Sequence, residues 1–199
     1  MLILGLCGSS GSGKGYTCQI FEKHGVKWID TDRVYKDLTG PGAPCTNELK
    51  DFFGNTVIND DGSLNRKELS RIVFQGQNSL ANREKLNEIS HYHIRKETEA
   101  LISKYANEGF KAVIIDAPVL FESGFDKMCS ATICVTAPYE LKVERIMARD
   151  AITEEMAKAR LSCQLSDERL RELCDYEIVN SNGFDLEEQV IAILQSLCI

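Results

Sequence analysis

Residues 2–21 read LILGLCGSSGSGKGYTCQIF. An apolar run, Leu2 to Cys7, meets a glycine- and serine-rich turn, then a lysine, then a stretch patterned as helix. A buried strand that turns through glycines into a helix N-terminus presents backbone N–H groups and the positive end of the helix dipole to an anion. Gly8, Gly13 and Lys14 fit the pattern G-x-x-x-x-G-K-[ST]. Glycines at 8, 11 and 13 let such a loop wrap closely around phosphate oxygens, and Lys14 can bridge the outer phosphates.

The closing hydroxyl of the pattern is missing, because position 15 is glycine. A serine or threonine there normally ligates Mg²⁺ directly. Tyr16 cannot stand in, since a helix turns it about 100° away, and Thr17 is about 100° further round. Magnesium accepts several water ligands, so a water can take the vacated coordination position. Glycine also weakens the first helical turn by up to about 1 kcal/mol. Two outcomes stand: an active enzyme with poorer metal binding, or a nucleotide binder that has lost its chemistry.

Outward from the loop, the helix runs to about His24 and stops at Gly25. Val26–Ile29 is a second short strand ending in Asp30-Thr31-Asp32, and Arg33–Leu38 reads as helix before the turn GPGAP at 40–44. A βαβα start predicts an α/β fold with a doubly wound parallel sheet. From Asn47 to Glu108 there is little strand signal beyond Thr56–Ile58. Helices are expected over Arg66–Phe74 and about Leu80–Asn107, the second with Leu86, Ile89, His93 and Ile94 on one face. The economical reading is a helical insertion between two halves of a sheet. Strands resume at Ala112–Ile115, ending in Asp116, and at Ala131–Thr136. Pro138 suits the first turn of a helix through Asp150, and a polar helical segment follows over 153–174. After a last short strand, Glu177–Val179, Asp185 and Glu188 resemble a capping box that opens a C-terminal helix. Its buried side carries Leu186, Val190, Ile193, Leu194 and Leu197.

The 199 residues suffice for one domain with an inserted sub-domain. A net charge of −7 argues against a nucleic-acid-coating protein. Eight cysteines occur without C-x-x-C spacing or a histidine cluster, so no zinc set is expected. Cys7, Cys134 and Cys198 sit in apolar runs, where a reduced thiol acts as a small hydrophobe. The N-terminus lacks a basic n-region, and no apolar run approaches the roughly 20 residues that span a bilayer. A reducing, cytoplasmic compartment is expected, with no nucleic-acid or membrane partner.

Asp30 and Asp32 follow the second strand, at the edge that faces the ligand crevice in an open parallel sheet. A carboxylate there can orient a hydroxyl acceptor and take its proton; helix capping by Asp32 or Thr31 is the plainer alternative. Asp116 ends the strand AVII and is the candidate carboxylate for the metal, directly or through water, unless it serves a simple strand-to-helix turn. Lys142, Arg145 and Arg149 share one helical face. Arg145 and Arg149, with Arg160 nearby, are candidates to close over phosphates, since guanidinium groups grip them bidentately. Lys142 reads as a surface residue paired with Glu140, Glu144 or Glu154. His91 and His93, on the long polar helix, read as structural.

In order along the chain, these motifs resemble the dephospho-CoA kinase family, whose enzymes phosphorylate the ribose 3′-hydroxyl of dephospho-CoA. GLCGSSGSGKG is similar to the family's GLTGGIGSGKS, and IDTD to its V/I-D-A-D. PGAP at 41–44, DGSLNRKEL at 61–69, IVF at 72–74 and ISHYHI at 89–94 look like its PG-x-P, DG-x-L-x-R-x-x-L, VF and L-H-P-x-I. DAPVLFE at 116–122, the R-x-x-x-R of Arg145 and Arg149, Gln164 and YEIVNSNG at 176–183 complete the series. Gly15 for serine, Cys7 for threonine and Tyr92 for the proline after the histidine are departures.

The resemblance implies a single domain over 1–199 with a P-loop, nucleoside-kinase-like sheet of about five strands. Its nucleotide core would span 1–58 and 110–199, with a helical CoA-binding insertion at 60–108 and a helical lid at about 142–165. ATP and Mg²⁺ are the implied cofactors, ATP held by Gly11, Ser12, Gly13, Lys14, Gly15 and Tyr16. Asp32 matches the catalytic aspartate that accepts the hydroxyl proton, and Lys14, Arg145 and Arg149 fall among the catalytic groups. Asp32, His91 and Arg66 would bind dephospho-CoA. The assembly implied is a monomer or a homo-oligomer such as a trimer. The rivals are another small P-loop kinase acting on nucleosides or nucleotides, and a regulatory nucleotide binder without catalysis.

Overall fold

The computed structural model describes residues 1–75 and 78–199. Five strands form one sheet: β1 (Leu2–Cys7), β2 (Lys27–Asp30), β3 (Ala112–Asp116), β4 (Ala131–Thr136) and β5 (Tyr176–Val179), in the order β2-β3-β1-β4-β5. β1 runs parallel to both β3 and β4, and β4 is parallel to β5. This is the expected α/β sheet of P-loop kinase type. Its central strands read as unbroken apolar runs because both faces are covered, and every residue of β3 and β4 is buried.

Two compact units divide the chain, Met1–Ile29 with Lys104–Ile199 and Asp30–Ser103. In the first, α1 (Lys14–Lys23) and α9 (Leu186–Ser196) contribute Cys18, Ile20, Phe21, Val190, Ile193 and Leu194 to the core built on Leu4, Leu6, Ile114, Ile133, Val135 and Ile178. The Asp185 half of the predicted capping box is present: Asp185 accepts hydrogen bonds from the N–H groups of Glu187 and Glu188. Pro138 is the N-cap of α6 (Tyr139–Asp150) and so stands just outside the helix. The polar helical segment over 153–174 consists of two helices, α7 (Glu154–Ser162) and α8 (Asp167–Leu173). Thr153 and Ser166 start each afresh by accepting from the N–H of Met156 and Arg169. All eight cysteines are free thiols; Cys7 and Cys134 are buried, but Cys198 is exposed beyond the end of α9.

The second unit holds α2 (Thr31–Leu38), α3 (Pro44–Phe53), α4 (Arg66–Gln75) and most of α5 (Ser79–Asn107). Residues 60–103 of the expected insertion lie within it, together with α2 and α3. Pro44, the second proline of the GPGAP turn, opens α3, where its missing N–H costs nothing. Thr56–Ile58 is no strand: Asn55–Val57 is a short 3-10 turn, and Ile58 makes a lone antiparallel bridge to Leu64. Cys45, Leu49, Val57, Leu64, Leu69, Val73 and Ile89 form the unit's core. No helix among the described residues is long and apolar enough to cross a membrane.

Candidate active site

The loop between β1 and α1 takes the backbone path its glycines suggest. Gly8, Gly11 and Gly13 all have positive φ, at 153°, 77° and 96°. At Gly11 and Gly13 a side chain would also collide: a Cβ would lie 2.6 Å from the Lys142 carbonyl oxygen and 2.0 Å from Asn180 Nδ2. Gly13 is the N-cap of α1 and no side chain caps that helix, so its first N–H groups point into the loop. Lys14 folds back and donates from Nζ to the Gly8 carbonyl at 2.8 Å. The uncapped N–H groups at the start of α1, with one ammonium drawn across the loop, suit phosphate oxygens.

Gly15 behaves differently from its neighbours. Nothing lies within 4 Å of a Cβ placed there, so space does not demand glycine. Neither nearby side chain replaces the missing hydroxyl: Thr17 is buried and donates to the Gly13 carbonyl, while Tyr16 is exposed. Asp116 is buried at the end of β3, in register with Leu6 near the base of the loop. Among the described residues no three His, Cys, Asp or Glu side chains gather to hold a metal. One carboxylate fits the habit of Mg²⁺, which binds through one or two carboxylates, waters and substrate phosphates rather than a protein cage.

The arginines of α6 separate. Arg145 donates to the Gly11 carbonyl at 3.1 Å and to Asn180 Oδ1 at 3.2 Å, and Asn180 donates in turn to the Ser12 carbonyl at 2.7 Å. Arg149 instead holds Asp150 through two hydrogen bonds of 2.8 Å, and Arg160 pairs with the same carboxylate. These contacts, Arg149's foremost, hold the Asp150 carboxyl at about 2 despite some desolvation. The structure thus brings Arg145 to the loop and leaves Arg149 facing its chain neighbour. Lys142 overturns the surface reading: it is buried, donates to Asp167 and Ser9, and pairs with none of the glutamates expected. Gln164 holds Ser10, accepting from its N–H at 2.9 Å. Asp167 was missed because it reads as an acidic residue in the first turn of a helix, a place where charge favours the dipole on its own account.

In the helical unit, Asp30 caps α2, accepting from the N–H groups of Asp32 at 2.9 Å and Arg33 at 3.1 Å. Capping therefore falls to Asp30, and the exposed Asp32 stands in the first turn of α2. Arg66 donates to Thr39 Oγ1 at 2.9 Å and lies over the Tyr35 ring. His93 pairs with Glu48 at 2.7 Å, the structural role expected of it. His91 is half-buried, and burial, with the nearby charge of Arg95, pulls its pKa below the ordinary 6.5.

The sequence model of the dephospho-CoA kinase family matches residues 2–185. The chain belongs to the dephospho-CoA kinase family. Among curated relatives, a dephospho-CoA kinase of Lactobacillus johnsonii is 34% identical over 195 residues, covering 98% of this chain and 97% of its own. A Thermus thermophilus crystal structure superposes with a TM-score of 0.84 at 25% identity, covering 100% of this chain and 98% of that one. The dephospho-CoA kinase of Campylobacter jejuni superposes with a TM-score of 0.70 at 26% identity, covering 98% and 96%. As a dephospho-CoA kinase family member, the chain is a phosphotransferase that phosphorylates dephospho-CoA with ATP, in coenzyme A biosynthesis.

Proposed function

We propose that the chain passes the γ-phosphoryl group of ATP to the ribose 3′-hydroxyl of dephospho-CoA through the following residues. The phosphates lie along the N–H groups of Gly11 to Tyr16, and Lys14 leaves the Gly8 carbonyl to neutralise charge on the outer ones. Asp32 accepts the hydroxyl proton as the ribose oxygen attacks phosphorus and the bond to the β-phosphate oxygen breaks, releasing ADP. Arg145, which donates to the Gly11 carbonyl, answers charge developing beside the loop. Arg149 would do so only after exchanging Asp150 for phosphate. Arg66 and His91 bind the acceptor. Asp116 would hold Mg²⁺, which supplies charge neutralisation at the transferred group.

The observation that carries this reading is the loop itself, with left-handed glycines at 11 and 13, an uncapped helix behind them and Lys14 across its mouth. The retained proton acceptor speaks against a purely regulatory binder, which needs none. The site of action on this reading is the cytoplasm, with the enzyme a monomer or homo-oligomer. Incubating the purified protein with ATP, Mg²⁺ and dephospho-CoA should give CoA and ADP in equal amounts. Intact ATP binding without CoA formation would favour the regulator. Turnover of nucleosides or nucleotides instead would favour a different small kinase.

A further inference from the structure

Lys142, Asp167 and Ser9 are 6%, 8% and 5% exposed, and together they form a closed polar ring. Lys142 Nζ donates to Asp167 Oδ1 at 2.8 Å and to Ser9 Oγ at 3.1 Å. The Ser9 hydroxyl donates to the same carboxylate oxygen at 3.2 Å, and the other oxygen accepts from the Ala137 N–H at 3.4 Å. A buried ion pair repays its desolvation poorly compared with apolar groups of equal volume. Packing alone is therefore a weak reason for one here.

The third member of the ring suggests a better reason, because Ser9 is the second residue of the phosphate loop. Lys142 also meets the loop two residues later, where its backbone packs so closely on Gly11 that a Cβ would not fit. Between these points Gln164 grips Ser10 through its N–H and hydroxyl. Three successive residues of the loop are thus held by the segment from α6 to α8. A glycine-rich loop loses much backbone entropy when it is ordered. Holding it in place before nucleotide arrives lowers that cost at the binding step.

We propose that Lys142 is a positioning residue: with Asp167 as its counter-charge, it fixes the path of the loop through Ser9 and does not itself touch phosphate. This rests on the ATP-dependent kinase reading above. Moving the ammonium to a phosphate would leave Asp167 buried without its partner, a strongly unfavourable arrangement.

The test compares Ser9→Ala, the apolar pair Lys142→Met with Asp167→Leu, and all three changes combined. Thermal midpoint, ATP affinity from displacement of a fluorescent ATP analogue, and turnover at saturating ATP are measured for each. The expected result is a wild-type midpoint in the apolar pair and ATP affinity weaker by about ten-fold, on the order of one hydrogen bond to a charged group. Ser9→Ala should show a similar loss, the triple variant should lose no more, and turnover at saturating ATP should stay within about two-fold. Wild-type ATP affinity in the apolar pair would overturn the proposal by making the ion pair merely structural. Weakened affinity in the pair with a normal Ser9→Ala would also overturn it, by putting Lys142 on the nucleotide. If the pair does not fold, unchanged affinity in Ser9→Ala alone overturns it. Wild-type protein that binds ATP but makes no CoA would strike the acceptor reading and leave these affinity comparisons intact.

Discussion

The sheet unit, Met1–Ile29 with Lys104–Ile199, and the helical unit, Asp30–Ser103, place their chemistry on different kinds of group. In the first, strands buried on both faces supply a rigid frame, and the candidate site is mostly backbone: N–H groups of a glycine loop, held from outside by Lys142, Arg145, Gln164 and Asn180. In the second, a smaller core, seven buried residues among those described, supports candidates that act through side chains: Asp32 and Arg66, both exposed, and the half-buried His91. Backbone donors must be preorganised, and here four side chains from later in the sequence hold the loop. Groups that select an acceptor must reach it, so they sit on surfaces. The two units should therefore fail in different ways when altered.

Asp32→Asn should break the comparison most sharply. It keeps shape and removes the proposed proton acceptor, so turnover should fall by about 10²- to 10⁴-fold while ATP affinity is unchanged. A parallel loss of ATP affinity would show that the helical unit's residue serves nucleotide binding instead. Leu49→Ala, at a fully buried position of the helical core, should cost about 2–5 kcal/mol of stability, read by chemical denaturation. Native protein that still binds ATP would sharpen the division; loss of ATP binding below the unfolding transition would break it.

Gly15→Ser has a smaller expected effect. Its Cβ enters open space, so the fold should be kept and the first turn of α1 strengthened by a few tenths of a kcal/mol, roughly half the glycine-to-alanine gain. The added hydroxyl should lower the Mg²⁺ concentration for half-maximal turnover by several-fold. Identical magnesium titrations would show that the missing ligand carries no penalty.

The smallest effect is a pH slope. His91 has its pKa lowered below 6.5 in the fold by burial, and then by Arg95, so the unfolded chain takes up its proton first. Stability from this group is fully present above 6.5 and is lost as pH falls through the lower folded value. His91→Gln should flatten the acid side of the stability profile, measured by thermal melts from about pH 7 to pH 5. An unchanged slope would remove His91 as its source.

Much of the sheet unit was legible because its signals are local. The apolar run of β1, the glycines that need positive φ and the N-cap at Asp185 each act within a few residues. The helical unit was harder to read. Thr56–Ile58 looked like a strand by β-branching, yet with only a single bridge to Leu64 it lacks the neighbours that would make it one. Similarly, 153–174 read as a polar helical segment without an internal boundary, because the caps at Thr153 and Ser166 that start its two helices are individually weak signals. Asp30, rather than Asp32 or Thr31, caps α2, a choice made by where the backbone leaves β2.

The sequence by itself determined that a strand, a phosphate loop and a helix follow one another, that Gly15 lacks a metal-binding hydroxyl, and that the order of motifs is that of dephospho-CoA kinases. Each depends on chemistry between near neighbours or on the linear order of residues. What holds the loop emerges once distant segments pack together. Placing β4 beside β1 in the sheet brings α6 against Gly11 and sets Lys142 on Ser9, 133 residues away in the chain. It also turned Arg145 toward the loop and Arg149 toward Asp150, although both lie on the same helix one turn apart. Helical spacing says which side chains share a face, but burial and the partners they meet depend on packing between distant segments.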